Sequence, residues 1–319
     1  MAPILRTLGV LARLAAFVLA LACAAAGIAG QAARWTDAPD ILNHFEPVWL
    51  AGAVAAGLIG WRDRITVALA AIALGACALQ MAPDILAPRD LDAPIAGAER
   101  LKIVQLNAWV NNQDPARSAA WLLAQDPDVI MMEEAYDRAS PLVQALRARY
   151  PHLTNCGDGC SVLILSKAAP TAGGRLGEFG FTSWATFEGA GGTYTVVAEH
   201  ATHPWPPLTQ ALNFQTLASE LRRFPPGRLV LAGDFNSTPW SFGLRRLDRM
   251  LPLIRRTHAL PTWPSARTEV HGRNVDLPIP VLPIDHVWAG RGWRTLSVER
   301  GPSVGSDHRP VVVVLQAAR

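Results

Sequence analysis

The apolar and polar positions divide the chain in two near residue 82. Before that point, Leu14 to Gly30, Pro47 to Trp61 and Ile65 to Met81 carry no charged residue. Each run reads as a helix of roughly 22 to 26 Å at about 1.5 Å per residue, at the low end of what spans a bilayer core of about 30 Å, with flanking residues able to extend it. Three transmembrane helices are therefore predicted within residues 1–82. The alternative is a cleaved signal peptide followed by a buried helical hairpin, because Ala-rich runs of this length also occur in soluble cores. Lipidation of Cys23 is disfavoured, since Ala20 stands where a larger aliphatic residue is usual. Flanking charge sets the orientation. Arg6 and Arg13 precede the first run and Arg62 and Arg64 separate the second from the third, whereas the Gln31–Glu46 loop sets Arg34 against Asp37, Asp40 and Glu46. Positive residues stay inside, which puts the N-terminus in the cytoplasm and, after three crossings, everything beyond Pro83 outside.

Residues 83–99 read as a Pro-rich linker. From residue 100 to 319 short apolar runs alternate with longer amphipathic ones. LKIVQLNAW, DVIMMEEA, SVLILSK, TYTVVAEH, RLVLAGDFN, IDHVWA and RPVVVVLQ predict strands, and Ser118–Gln125, Pro141–Tyr150 and Gln210–Phe224 predict helices. Several strands are apolar almost without interruption, as in sheets covered on both faces. This is one α/β domain.

Composition adds little to that picture. The 319 residues are 50% hydrophobic and 17% charged, which excludes a disordered chain, and the net charge of +3 selects no partner. Arg222, Arg223, Arg245, Arg246, Arg249, Arg255 and Arg256 offer a face for an anionic substrate or lipid headgroups, or form a solvated helix surface. Cys156 and Cys160, separated by Gly-Asp-Gly, suit a disulfide in an oxidising compartment. Two thiols without nearby His or further Cys do not complete a zinc site. Cys23 and Cys77 lie in apolar runs and read as packing residues.

Polar groups recur at the strand ends. Asn107 ends the first strand, Glu133 and Glu134 the second, His200 the fourth, and Asp234 and Asn236 the fifth. Asp285 and His286 open the next, and Asp307 and His308 precede the last. Each alone has a bland explanation: Asp234 or Asn236 as turn residues, His200 and His203 as packing histidines, Asp307 as a cap. Together they deliver oxygen and imidazole groups to one crevice, a set that favours a hard, oxygen-ligated cation over zinc.

The motifs GDFNSTP and GSDHRPV, supported by IVQLNAW, DVIMMEE, VVAEH and PIDHVW in this order, resemble those of the endonuclease/exonuclease/phosphatase (DNase I-like) superfamily. The resemblance covers about Leu101 to Leu315. It implies a four-layer α/β/β/α sandwich of two packed mixed sheets and a Mg²⁺ or Mn²⁺ cofactor. Glu134, Asn107 and Asp307 match the groups gathered around the cation. Asp234 matches the residue that orients or deprotonates the attacking water, and Asn236 the donor to phosphate oxygens. His308 matches the histidine that meets the phosphate, with Asp285 holding its tautomer, and His200 a second phosphate-facing group. His203 competes with His200 for that place, and Trp109 departs from the polar residue found there in several nucleases. Residues 261–280, with Trp263, His271 and Arg273, read as a substrate loop or a long crossover.

Three predicted spans before such a domain also resemble a bacterial branch linked to teicoplanin resistance. That likeness implies an enzyme of the bacterial inner membrane acting at its outer face, beside the lipid bilayer, on a phosphorylated and lipid-linked substrate such as undecaprenyl pyrophosphate. An extracytoplasmic nuclease is the alternative, which would need a basic track for the polyanion; nucleic acid is not the favoured substrate. A catalytically dead receptor domain is disfavoured by the retention of every expected polar group. No protein partner is inferred.

Overall fold

The computed structural model describes all residues except 1, 90, 136–139, 178–180, 266–267, 271–272, 276–278 and 319. The chain forms two compact units. One comprises Met1–Ala87 with Pro204–Leu208 and Thr238–Arg245, and the other holds the remainder.

The first unit is built on α1 (Ala2–Gln31), the short α2 (Asp40–Asn43), α3 (Glu46–Ile59) and α4 (Arg64–Ile85). Among the described residues, only α1 and α4 are long and apolar enough to cross a membrane. The second predicted span is shorter than expected: α3 has 14 residues, roughly 21 Å of rise. Pro47 sits in its first turn and Gly60 ends it, so helix geometry stops short of the apolar run. The three helices pack through small side chains in layers. Ala20, Ala56 and Ala70 form one layer, and Cys23, Ala24, Ala53 and Ala73 the next. Residue numbers rise from layer to layer in α1 and α4 and fall in α3, so the helices run up, down and up. Close approach explains the glycines: a Cβ on Gly27 would lie 2.8 Å from that of Ala76, and one on Gly52 2.8 Å from Cys23 Sγ. Within the same unit the 238–245 segment is fixed by polar contacts. Asp40 accepts from the N–H groups of Phe242 (2.9 Å) and Gly243 (2.7 Å), and His44 Nδ1 from that of Thr238 (3.2 Å).

The second unit contains fourteen described strands. In chain order these are β1 (Arg100–Asn107), β2 (Val129–Glu133), β3 (His152–Asn155), β4 (Leu163–Ser166), β5 (Ala172–Arg175), β6 (Phe181–Gly189), β7 (Gly192–His200), β8 (Leu229–Asp234), β9 (Ile254–Arg255), β10 (Thr268–Val270), β11 (Arg273–Val275), β12 (Asp285–Ala289), β13 (Trp293–Arg300) and β14 (Val311–Ala317). They make two six-stranded mixed sheets, ordered β13-β14-β1-β2-β4-β3 and β5-β6-β7-β8-β12-β9, and a separate β10-β11 hairpin. Of the 261–280 segment, His271 lies outside the described residues. The predicted strands are all present; β3, β5, β6, β9, β13 and the hairpin had no expectation, being short, polar or at edges.

Side-chain alternation builds the sandwich. Ile103, Met131, Val196, Ala198, Val230, Ala232, Val287 and Val313 meet between the sheets in one buried core. The alternate residues Val104, Leu106, Ile130 and Met132 face outward under two helices, α5 (Pro115–Gln125) and α6 (Pro141–Leu146), where Leu122, Leu142 and Leu146 cover them. Cys156 and Cys160 are disulfide-bonded and join the inter-sheet core. Gly233 is required by close approach, since a Cβ there would stand 1.8 Å from the carbonyl oxygen of Glu199.

Glu199 itself is fully buried, accepting from Asn213 Nδ2 (3.1 Å) and from the Thr182 hydroxyl. Burial outweighs these bonds and pushes its pKa up to about 7. The folded state thus holds a proton that the unfolded chain releases near 4.5. Stability should fall as pH rises through the window from about 4.5 to 7, by about 3 kcal/mol in all. Glu199→Gln should flatten that part of the stability curve, as measured by thermal unfolding from pH 5 to pH 8; an unchanged slope would contradict the assignment.

Candidate active site

At one edge of the second unit the inter-sheet layer changes from apolar to ionisable. The pattern is continuous along each strand: Ile103, then Gln105 and Asn107; Met131, then Glu133; Ala198, then His200; Ala232, then Asp234; and Asp285 before Val287. Pairing aligns these positions. Asn107 is opposite Glu133, while His200 and Asp285 flank Asp234 on either side.

The side chains form two linked groups. In the first, Asn107 Nδ2 donates to both Glu134 Oε1 and Asp234 Oδ2, each at 3.0 Å. Asn107 Oδ1 accepts from Trp109 N–H (2.9 Å) and Glu134 Oε2 from Val110 N–H (3.1 Å). His200 Nε2 lies 3.7 Å from Asp234 and 3.9 Å from Glu134. In the second, His308 Nδ1 and Asp285 Oδ2 are hydrogen-bonded at 2.8 Å, and His308 Nε2 is 3.7 Å from Asp234 Oδ2. Asp234 Oδ1 accepts from Asn236 N–H (2.8 Å), and Asn236 Nδ2 donates to Ala201 O (3.0 Å). Seven of the eight predicted site residues are thereby brought together directly. Asp307 adjoins them through His308, whose charged form it favours, and its Oδ2 accepts from Trp263 Nε1 (3.2 Å). His203 is exposed, whereas His200 is half-buried and beside Asp234 and Glu134.

Gln105 escaped the sequence reading. Its Nε2 bridges Glu133 Oε2 and Asp285 Oδ1, both at 2.8 Å. The available signal was parity, because Gln105 shares a strand face with Asn107 and interrupts an apolar strand. His286, adjacent to Asp285, points the other way, within reach of Thr257 and the Ser237 carbonyl.

The electrostatics follow from crowding carboxylates in a buried layer. Burial, reinforced by Asp285, raises Glu133 well above the usual carboxylate range. Burial raises Asp234 against the opposing pull of His308. For Asp285 burial is more than offset by the charge and hydrogen bond of His308, so its pKa is lowered. His308 is raised well above the ordinary histidine value because Asp285 and Asp234 outweigh its burial. Glu134 is lowered, with burial overcome by its bonds to Asn107 and Val110.

Whether a divalent cation fits can be judged from the donors. Asp234, Asp285 and His308 place ligand atoms within 4.8 Å of one another. Yet His308 and Asp285 already satisfy each other through a direct hydrogen bond. Glu134 and Asp234 offer carboxylate oxygens around one locus, each 3.0 Å from Asn107 Nδ2, with a net negative charge and no thiol, which suits a hard cation. The residues fit such an ion.

Asp285→Asn should bring the raised His308 pKa back toward its ordinary value and lower turnover on the order of a hundredfold or more. Imidazole NMR titration and steady-state kinetics on the same sample check both. An unshifted His308 would show that the pair is not coupled.

No curated protein matches the sequence significantly. Among solved structures, D. rerio TDP2 complexed with a single-strand DNA product is 14% identical over 68% of this chain and 99% of its own, with a TM-score of 0.53. An endonuclease/exonuclease/phosphatase family protein from Bacteroides thetaiotaomicron is 15% identical over 70% of this chain and 100% of its own, and beta toxin from Staphylococcus aureus is 14% identical over 67% and 99%, each with a TM-score of 0.51. These likenesses show a shared fold. The model of the Endonuclease/Exonuclease/phosphatase family matches residues 104–308, a span that holds every group of the site described above, and the chain belongs to that family of metal-dependent phosphoesterases.

Proposed function

We propose that the protein is a membrane-anchored phosphoesterase that hydrolyses a phosphate or pyrophosphate ester of a lipid-linked substrate at the outer face of a bacterial inner membrane. The observation that carries the membrane part is exposure. Only 22% of the most apolar window of α1 and 33% of that of α4 is buried, and Leu8, Leu11, Leu14, Ile65, Ile72 and Leu79 point outward. A helix buried in a soluble core would hide such residues. The up, down, up packing of α1, α3 and α4 supports the external placement, because it carries the chain from one end of the bundle to the other despite the short α3. Tethering concentrates the enzyme for lipid headgroups, and the resemblance to the teicoplanin-resistance branch suggests undecaprenyl pyrophosphate.

In this reading Glu134, Asn107 and Asp307 hold Mg²⁺ or Mn²⁺, which when bound neutralises phosphate oxygens. Asp234 aligns or deprotonates the attacking water. The raised pKa of Asp234 suits a base, and its Oδ2 faces both His200 and His308. Asn236 has a second amide N–H for a phosphate oxygen beyond the one given to Ala201. His308, kept protonated by Asp285, and His200 donate to the phosphoryl group as charge develops. Gln105 holds Asp285 and the protonated Glu133 in place. Trp109 lends its N–H to Asn107, a structural task in place of a second metal contact.

Glu134→Ala or a chelator should abolish turnover, with activity restored to the chelated wild type by Mg²⁺ or Mn²⁺; full activity in chelator would sink the metal assignment. The substrate is tested with the purified full chain in detergent, by phosphate release from a prenyl pyrophosphate, product release from a phospholipid, and cleavage of DNA. The prenyl pyrophosphate should be turned over fastest. Preference for DNA, steeply weakened by salt, would establish the nuclease reading instead, and a reporter active only in the cytoplasm, fused after Arg319, would reverse the topology.

A further inference from the structure

Residues 204–219 contain no charged side chain. They include most of α7 (Pro207–Glu220), whose faces are divided against the usual rule. The inner face starts with polar groups. Gln210 and Asn213 are buried; Gln210 Nε2 donates to Thr202 O (2.8 Å), while Asn213 accepts from Thr202 N–H (3.1 Å) and donates to Glu199 Oε1 (3.1 Å). These bonds satisfy the backbone where the chain leaves β7, two residues past His200, and tie the helix to the strand end that carries that histidine. Phe214, Leu217 and Ala218 complete the buried face.

The outer face is apolar where a solvated helix would carry charge. Leu208 is 65% exposed and Leu212, one turn later, 53%; Trp205, just before the helix, is 63% exposed. The other exposed positions of α7 are Thr209, Gln215 and Ser219, all uncharged. Charge returns only at the helix end and is basic on balance: Arg222 and Arg223 are exposed in the turn that follows, with Glu220 paired to Arg223 (3.2 Å). Leu and Trp on an uncharged face, followed by arginines, is the pattern of a helix lying in a membrane interface. A second observation indicates the same surroundings. Pro204–Leu208, which holds Trp205 and Leu208, groups with α1, α3 and α4 in the helical unit, whose own outer faces expose Leu8, Leu14, Ile72 and Leu79.

We infer that the outer face of α7 rests in the bilayer surface, with Trp205, Leu208 and Leu212 among the glycerol and upper acyl carbons and Arg222 beside anionic headgroups. This extends the membrane-anchored reading above and rests on it. The protein then touches lipid a second time, through the helix that braces the His200 strand end, and a headgroup substrate is taken at the membrane surface rather than from free solution.

The test reconstitutes the full chain in liposomes of phosphatidylcholine and phosphatidylglycerol, with and without bromine on the upper acyl carbons. Trp205 emission is obtained as the difference between wild type and Trp205→Phe, which separates it from the other tryptophans. Brominated lipid should reduce it about twofold or more, as for an indole at the interface. Leu208→Glu combined with Leu212→Glu should abolish the quenching and leave turnover of a soluble phosphodiester unchanged, since both leucines are exposed and neither belongs to the site. Flotation with the liposomes checks the anchored reading by itself. A chain that floats with Trp205 unquenched, or with quenching indifferent to the paired substitution, would overturn the α7 contact alone; a chain that does not float would overturn both. Unquenched Trp205 with a doubled mass in detergent, returned to the monomer by the paired substitution, would assign the face to a second copy of the chain and likewise overturn the lipid contact.

Discussion

The structure depends on one constraint: the layer between the two sheets must stay close-packed while changing, within one residue pair along each strand, from apolar to ionisable. Val230 and Ala232 lead to Asp234, Met131 to Glu133, and Val287 back to Asp285. Several carboxylates then share a space shielded from water, where like charges repel strongly. The fold answers with three devices. Glu133 takes up a proton, Gln105 bridges it to Asp285 through a neutral amide, and His308 supplies a charge held directly against Asp285. The negative charge left over is on Asp234 and Glu134, facing the cleft. A cation and an electron-rich phosphate oxygen require opposite surroundings, and this division provides both within one edge.

Much of this was legible in the sequence, for a physical reason. Strands buried on both faces write themselves as apolar runs, and a polar residue at such a run's end has few roles other than a site. That logic found Asn107, His200, Asp234, Asp285 and His308. It lost Gln105 because an amide inside a strand lacks the charge that draws notice, although its parity with Asn107 was in view. Short edge strands such as β5, with Gly173 and Gly174, carry no hydrophobic period and left no trace. The second predicted span failed on a different point: hydropathy measures what a segment avoids, whereas helix length also depends on where Pro47 and Gly60 start and stop it.

The helical unit shows why a short α3 is tolerable. The buried layers it shares with α1 and α4 are built mainly of Ala, with Cys23 and with Trp49, Leu69 and Leu74 packed against them, and the small side chains let backbones approach closely and give van der Waals contact without depending on water exclusion. Layers of alanine at Ala20, Ala56 and Ala70 and again at Ala24, Ala53 and Ala73 fix both register and direction. Larger residues, among them Leu8, Leu11, Leu14, Ile65, Ile72 and Leu79, are left on the outside of α1 and α4. Small inside and large outside inverts the ordinary pattern of a soluble bundle.

Backbone conformation completes the site. Strict alternation after Glu133 would send Glu134 to the outer face of its sheet, under α5 and α6. Instead Glu134 adopts a left-handed φ of 54°, which turns its carboxylate back to Asn107. Trp109 does the same at 58°, so that its own N–H and that of Val110 address Asn107 and Glu134 in succession, and Asn236 does so at 47° beside Asp234. An Asn accepts this region readily, but Glu and Trp do not, and such conformations persist only where surrounding bonds over-determine them. Here the bonds that hold them are those of the site. The same interactions that fix Glu134 as a ligand candidate therefore bear its conformational cost, and losing Asn107 would release the backbone as well as the side chain.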